Sequence, residues 1–156
     1  MESCQVNIDA LGKVTARIHT TSSGQGHETL VSTVLGEVMQ IDPELIRITR
    51  PNSLESLPGN SPVGSRMAIM LGGAAARAGE KLKAKIMAIA AHRLGVAIDQ
   101  LRYEGGDVLA HDGRRFTWDE MVELAHRQYH NLPDGMDPGL ASFDIMQVPT
   151  GDALPV

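Results

Sequence analysis

The order of apolar and polar residues divides the chain into alternating and helically spaced stretches. Between residues 5 and 21, Val6 and Ile8, then Val14, Ala16 and Ile18, alternate with other positions around Asp9-Ala10-Leu11-Gly12, the pattern of a β-hairpin with one buried face. After a polar break from Thr21 to Gly26, residues Leu30, Val31, Val34, Leu35, Val38 and Met39 recur at helical spacing between Thr29 and Gln40. Asp42-Pro43 ends that helix, because proline disfavours helical backbone in the residue before it, and Leu45 to Thr49 reads as a strand. A loop rich in Pro, Ser, Gly and Asn follows over residues 51 to 64.

A long helix is predicted from about Ser65 to Leu94. Met67, Met70, Leu71, Ala74, Ala75, Ala78, Leu82, Ile86, Ile89 and Ala90 lie on one face, Arg77, Lys81 and Lys85 lie largely opposite, and Gly95 is its cap. Leu101 to Tyr103 and Val108 to Ala110 read as strands, and Asp112-Gly113 as a hairpin turn leading into Arg115-Phe116. Thr117-Trp118-Asp119-Glu120 is a capping box that opens a last helix reaching roughly to His130. Residues 131 to 156 are a loop-rich tail marked by Pro133, Gly135, Pro138 and Gly139, with Phe143 to Val148 as a single apolar strand-like stretch. A lone strand exposes an unsatisfied edge, so this stretch is expected to be poorly ordered or to pair with another molecule. The sequence of elements predicts an α+β fold in α/β layers: one domain over residues 1–156, with a small mixed sheet packed against about three helices, one of them long.

Composition narrows the functions open to such a domain. The chain has 156 residues and 42% hydrophobic content, enough for one core of ordinary proportions, and a formal charge of −5. No basic run is interleaved with aromatics, so nucleic acid is not an expected partner. Cys4 is the single cysteine, so the chain builds neither an internal disulfide nor an iron–sulfur cluster from its own thiolates. Met1-Glu2-Ser3-Cys4-Gln5 has no secretory character, and no run of about 18 apolar residues occurs, so a cytoplasmic location without a membrane partner is the expectation.

Two turns carry candidate chemistry. Ser22-Ser23-Gly24-Gln25-Gly26-His27-Glu28-Thr29 lies between a strand and a helix, where unpaired N–H groups and the helix dipole favour an anion and glycine lets the backbone approach it. The same spacing also suits an ordinary βα turn without a ligand. Pro58 to Arg66 opens the long helix and combines backbone donors, the Ser65 hydroxyl and the Arg66 guanidinium, which can grip a phosphate bidentately; alternatively Ser65 is an N-cap and Arg66 is solvated. Neither turn has the Lys-Ser/Thr ending of a nucleotide P-loop, and no Gly-x-Gly-x-x-Gly follows a strand.

Taken in order, Gly24-Gln25-Gly26-His27-Glu28-Thr29, Ile41-Asp42-Pro43-Glu44, Ile46-Arg47-Ile48, Gly64-Ser65-Arg66 and Gly72-Gly73-Ala74-Ala75 resemble the large subunit of the molybdenum hydroxylases, the xanthine dehydrogenase, aldehyde oxidase and carbon monoxide dehydrogenase family. The ordered match runs over about residues 5 to 130. The resemblance implies a molybdopterin cofactor and leaves open the mononucleotide and the cytosine dinucleotide forms. It implies contacts from Gly24, Gln25 and Gly26 to the pterin and its phosphate, with Thr29 a further candidate for that phosphate. Gly64, Ser65 and Arg66 would meet the dithiolene-pterin or the dinucleotide tail. It also implies an oxidoreductase that hydroxylates aldehydes or N-heteroaromatics with oxygen from water, whose partners are the remainder of the large subunit and iron–sulfur and flavin subunits or domains. Ser23 stands where many members have Gln, and the family's catalytic base, a glutamate in a late Gly-x-Gly-Glu loop, has no counterpart, since Gly79-Glu80 falls inside a helix. The resemblance therefore assigns no catalytic residue and no protein metal ligand, and the chain alone is expected to be inactive. The alternative is a non-catalytic module that uses the same turns for a phosphorylated metabolite or a partner subunit.

Other residues have structural readings. His126 and His130 are four apart on the last helix but lack a third ligand, and positive charge near a helix C-terminus explains them. His27 is either a donor to the cofactor or a solvated turn residue. The Gly72-Gly73 pair costs about 1 kcal/mol per glycine relative to Ala in a helix, which close packing offsets unless the pair marks a kink.

Overall fold

A computed structural model describes residues 2–19, 26–49 and 67–146, and everything below concerns those residues. Strands β1 (Glu2–Ile8) and β2 (Val14–Ile18) form the expected hairpin, β1 beginning earlier than its apolar pattern suggests. Asp9 closes the turn: its Oδ1 accepts from the N–H of Leu11 at 2.9 Å and of Lys13 at 3.0 Å. Helix α1 (His27–Met39) ends at Gln40, which takes a left-handed conformation and donates its N–H to the Gly36 carbonyl, before Asp42 caps a single 3-10 turn and β3 (Ile46–Thr49) begins.

Sheet order is β3-β2-β1-β7, where β7 is Leu140–Met146; β2 and β3 run parallel and the other pairs antiparallel. Helix α2 (Met67–Leu94) and α1 pack on one face of this sheet. The inward positions Cys4, Val6, Ile8, Val14, Ala16 and Ile18 meet Leu71, Ala74, Ala75, Ala78, Leu82, Ile86, Ile89 and Ala90, all buried as their spacing requires. The glycine pair in α2 is packing, not a break: the helix is continuous, Gly72 faces Leu30 and Val34 of α1, and a Cβ on Gly73 would lie 2.9 Å from Met146. Gly79 marks the closest crossing, where a Cβ would stand 3.0 Å from Val38 and 3.1 Å from Leu35.

The expected single sheet is in fact two. Strands β4 (Leu101–Glu104), β5 (Asp107–Ala110) and β6 (Arg115–Phe116) form a separate antiparallel sheet in the order β4-β5-β6, followed by α3 (Trp118–Arg127). Helix α3 ends three residues short of His130, which lies in a 3-10 turn. The fold class stands: α+β, with three α-helices, one of them long, around one core that includes Tyr103, Val108, Phe116, Met121 and Leu124 from the second sheet and α3. The buried Tyr103 hydroxyl donates to the Met39 carbonyl at 2.8 Å, tying the second sheet to the end of α1, and burial pushes its phenol above the usual range.

The tail departs from expectation. Phe143 to Met146 neither stands alone nor waits for another molecule, because β7 pairs with the whole of β1 from Glu2↔Met146 to Ile8↔Leu140; Gln147 and Val148 lie outside the described residues. Its facing is also opposite to its apolar pattern. Phe143 is on the open face, while Ser142 and Asp144 face α2. The Ser142 hydroxyl donates to the Ala78 carbonyl at 2.6 Å, and the buried Asp144 carboxylate takes Arg77 Nε at 3.0 Å and Lys81 Nζ at 3.4 Å. Lys81 also donates to the Phe143 carbonyl and Lys85 to that of Asp137, each at 3.0 Å, so the basic face of α2 is the seam that holds the tail. Burial lowers the pKa of Lys85, and nearby Asp137 partly offsets this.

Candidate functional site

Strand directions decide where the candidate turns can lie. Because β2 and β3 are parallel, Ile18 and Thr49 end at the same edge of the sheet, and the antiparallel pairing of β1 with β2 and β7 places Glu2 and Met146 there too. The chain therefore leaves the sheet after His19, after Thr49 and after Met146 at one end. Helices α1 and α2 start beside that end, Gly73 against Met146 and Gly72 against Leu30. Both turns singled out in the sequence connect elements that open at this end.

Of the site residues expected from sequence, Gly24, Gln25, Gly64, Ser65 and Arg66 lie outside the described residues. Gly26 and Thr29 are described, one as the N-cap of α1 and the other exposed in its first turn. Gly26 has φ 72° and ψ 33°, a left-handed conformation that glycine adopts without strain, and a Cβ there would meet nothing within 4 Å. Among the described residues nothing stands where a side chain would project at the head of this 13-residue helix, which has no side-chain cap.

Polar burial also concentrates here. Glu2 and Ser3 are completely buried, the His19 side chain is 3% exposed, and Glu2 Oε2 is in direct contact with His19 Nε2. His27 is 5% exposed, and its Nδ1 is buried with no hydrogen-bond partner. Sequence reading placed His27 beside the turn but missed the Glu2–His19 pair. The signal was parity: the even-numbered inward positions Ile8, Val6 and Cys4, continued backwards, put Glu2 on the buried face.

Clefts lie on both sides of the frame. One of about 190 Å³ lies on the open face of the main sheet among Gln5, Asn7, Thr15, Arg17 and Thr49, a lining of amides, hydroxyls and a guanidinium without carboxylates. A larger one, about 570 Å³, opens at the opposite end beside Leu45 and Trp118, away from both turns. His126 has a structural role: its Nε2 lies 2.9 Å from the Ile8 carbonyl, joining α3 to β1. No group of three metal-capable side chains occurs among the described residues, and no described helix is long and apolar enough to cross a membrane.

A family model described as the molybdopterin cofactor-binding domain matches residues 1–142. The carbon monoxide dehydrogenase large chains of Hydrogenophaga pseudoflava and Afipia carboxidovorans are 31% and 33% identical, each over 95% of this chain and 18% of the relative. A solved Cu,Mo-CO dehydrogenase superposes with a TM-score of 0.85 at 29% identity, over 96% of this chain and 19% of that one. The chain thus spans about a fifth of the length of the relatives it matches. On this evidence the chain belongs to the molybdopterin cofactor-binding domain family, the cofactor-holding part of the molybdenum hydroxylases.

Proposed function

We propose that this chain grips the phosphate-bearing end of the molybdopterin cofactor inside the large subunit of a molybdenum-dependent dehydrogenase or hydroxylase. The observation that carries the reading is that β2 and β3 end, and α1 and α2 begin, at one end of the sheet, with a left-handed glycine at the head of α1. The residues present suit the group. Gly26 leaves open space where a side chain would block an anion, α1 directs its dipole there, and His27 keeps a buried ring nitrogen without a partner. Gly24, Gln25 and Gly26 would hold the pterin and its phosphate, with Thr29 in reach of the same phosphate; Gly64, Ser65 and Arg66 would hold the dithiolene-pterin or, in the cytosine dinucleotide form, the nucleotide tail.

When bound, the cofactor supplies two-electron chemistry that moves an oxygen from water to an electrophilic carbon, such as that of an aldehyde or N-heteroaromatic ring. This chain's residues bind and orient; the proton-accepting glutamate belongs to a part of the subunit that has no counterpart in these 156 residues. Iron–sulfur and flavin partners would carry the electrons away, and the chain alone should turn over no substrate. The test is Arg66→Ala in the full-length subunit. Loss of a charge-assisted contact of about 1.5 to 3 kcal/mol should lower cofactor affinity by roughly one to two orders of magnitude with little change in melting temperature. Unchanged molybdenum per subunit would remove Arg66 from the site.

A further inference from the structure

The cleft of about 570 Å³ at the far end of the frame has no part in the reading above. Val14, Ile41, Leu45 and Trp118 give it an apolar lining, and its size suits a cluster of side chains or one small ligand. Two strongly exposed leucines stand beside it. Leu45 lines it at 70% exposure, and Leu11, 77% exposed, stands in the turn whose Asp9, Gly12 and Lys13 line it.

Neither leucine is needed by the turn that carries it. The β1–β2 turn is closed by Asp9, whose Oδ1 takes the N–H groups of Leu11 and Lys13, and by Gly12 in left-handed backbone. The 3-10 turn before β3 is fixed by Asp42, which accepts from the Glu44 N–H at 2.9 Å, and by Pro43 at its start. A polar side chain at position 11 or 45 would leave both turns intact and expose less apolar surface. Single exposed leucines are ordinary, but a pair flanking an apolar cleft walled by tryptophan is the pattern of an interaction surface. The charges around it cancel, Lys13 and Arg47 against Asp9 and Glu44, so the cleft favours uncharged, apolar groups over an anion or a cation.

The occupant follows from proportion. The stretch matched in the carbon monoxide dehydrogenase large chains is 18% of each, so most of the polypeptide of such a subunit lies outside it. We propose that the cleft between Leu11, Trp118 and Leu45 is a docking surface on which an apolar segment from the remainder of the large subunit is seated. The proposal rests on the reading of this chain as part of such a subunit and adds which face turns towards the rest. Docking at this end would clamp the frame without obstructing the end where the cofactor is held.

Thiol labelling tests it. Leu11→Cys and Leu45→Cys are made in the 156-residue chain and in the full-length subunit, and N-ethylmaleimide incorporation at each position is followed by peptide mass spectrometry. Cys4, the other thiol of this stretch, is buried. Both new thiols should react freely in the isolated chain and about tenfold more slowly, or slower still, in the full-length subunit. Equal rates in the two proteins overturn the proposal. So does slow labelling already present in the isolated chain, where the chain itself or a second copy would be covering the cleft. Leu11→Asp and Leu45→Asp should leave the melting temperature of the isolated chain within about two degrees and lower that of the full-length subunit by more; an equal response in both overturns the proposal too. Should a cysteine variant fail to fold, hydroxyl-radical footprinting of Leu11 and Leu45 in the unaltered proteins makes the same comparison. Molybdenum per subunit and affinity for inorganic pyrophosphate probe the cofactor reading separately. Leucines left open in the full-length subunit while Arg66→Ala strips its molybdenum would keep that reading and overturn this one.

Discussion

Helices α1 and α3 begin in opposite ways, and the contrast separates the part of the molecule that holds itself together from the part arranged for something else. Helix α3 opens on a closed capping box: Thr117 Oγ1 accepts from the Glu120 N–H at 3.2 Å, and Glu120 Oε2 accepts from the Thr117 N–H at 2.8 Å. Around it, Asp107 accepts from the Trp118 N–H at 2.8 Å, and the Trp118 ring donates to the Gly12 carbonyl at 3.2 Å and covers Gly106. Helix α1 opens on Gly26 in a left-handed conformation, with no side-chain cap and with the buried His27 beside it. The helix heads thus differ in that one is closed by the protein's own side chains and the other carries no side-chain cap.

If that division holds, stability and ligand affinity should respond to different residues. The largest stability effect is expected from Trp118→Ala, which removes the side chain joining the β1–β2 turn, the β4–β5 turn and α3. A loss of about 3 kcal/mol in denaturant unfolding should follow, with pyrophosphate affinity of the folded fraction unchanged. Weakened affinity at intact stability would break the comparison. Next comes Asp144→Ala, which releases β7 from α2. Arg77 and Lys81 are 60% and 56% exposed and can return to water, so the cost should be about 1 to 2 kcal/mol and should shrink in high salt. A salt-independent loss would assign the effect to packing.

A matched pair bears most directly on the contrast. Thr117→Ala should cost about 1 kcal/mol through the lost cap and leave pyrophosphate binding untouched. Gly26→Ala should cost a similar amount, about 1 kcal/mol, from a Cβ in left-handed backbone, but it should also weaken pyrophosphate binding, because the new methyl group enters the open space. Equal effects of the two on binding would erase the distinction between the helix heads. The smallest effect concerns whether the open end is sealed below its surface. Burial pushes the Cys4 thiol from 9.0 up to about 12, so folding favours the protonated form. Its contribution to stability is complete below pH 9.0 and is lost as pH rises through about 12. Cys4 should therefore resist alkylation at pH 8 until denaturant is added, and rapid labelling of the folded chain would show that water reaches the core from this end.

Much of this was legible in the chain. The even-numbered apolar positions of β1 and β2, the face of α2 and the Thr117–Glu120 box all appear where spacing puts them, because each is a local pattern imposed by strand or helix period. What escaped was non-local. Nothing in the order of residues 101 to 116 says that these strands form their own sheet, tied to α1 by Tyr103 reaching Met39 across 64 positions. The apolar look of Phe143 to Met146 pointed the wrong way, since the inward position is the charged Asp144, which takes its cationic partners from a helix that begins far earlier in the chain. At the site, the glycine turns were visible as motifs, whereas the contact of Glu2 with His19 carries no local motif.

The parallel pairing of β2 with β3 has a consequence for how such a domain can change over time. Both connections that follow these strands are anchored at each end to hydrogen-bonded elements, so lengthening one costs mainly loop-closure entropy, about 0.6 kcal/mol for each doubling. At the opposite end an insertion beside Gly12 or Gly106 would strike the Trp118 ring and the hydrogen bonds it anchors. Insertions and deletions are therefore cheap at the end where these connections lie and costly where the frame is locked, which lets that end be rebuilt by indels on an unchanged core.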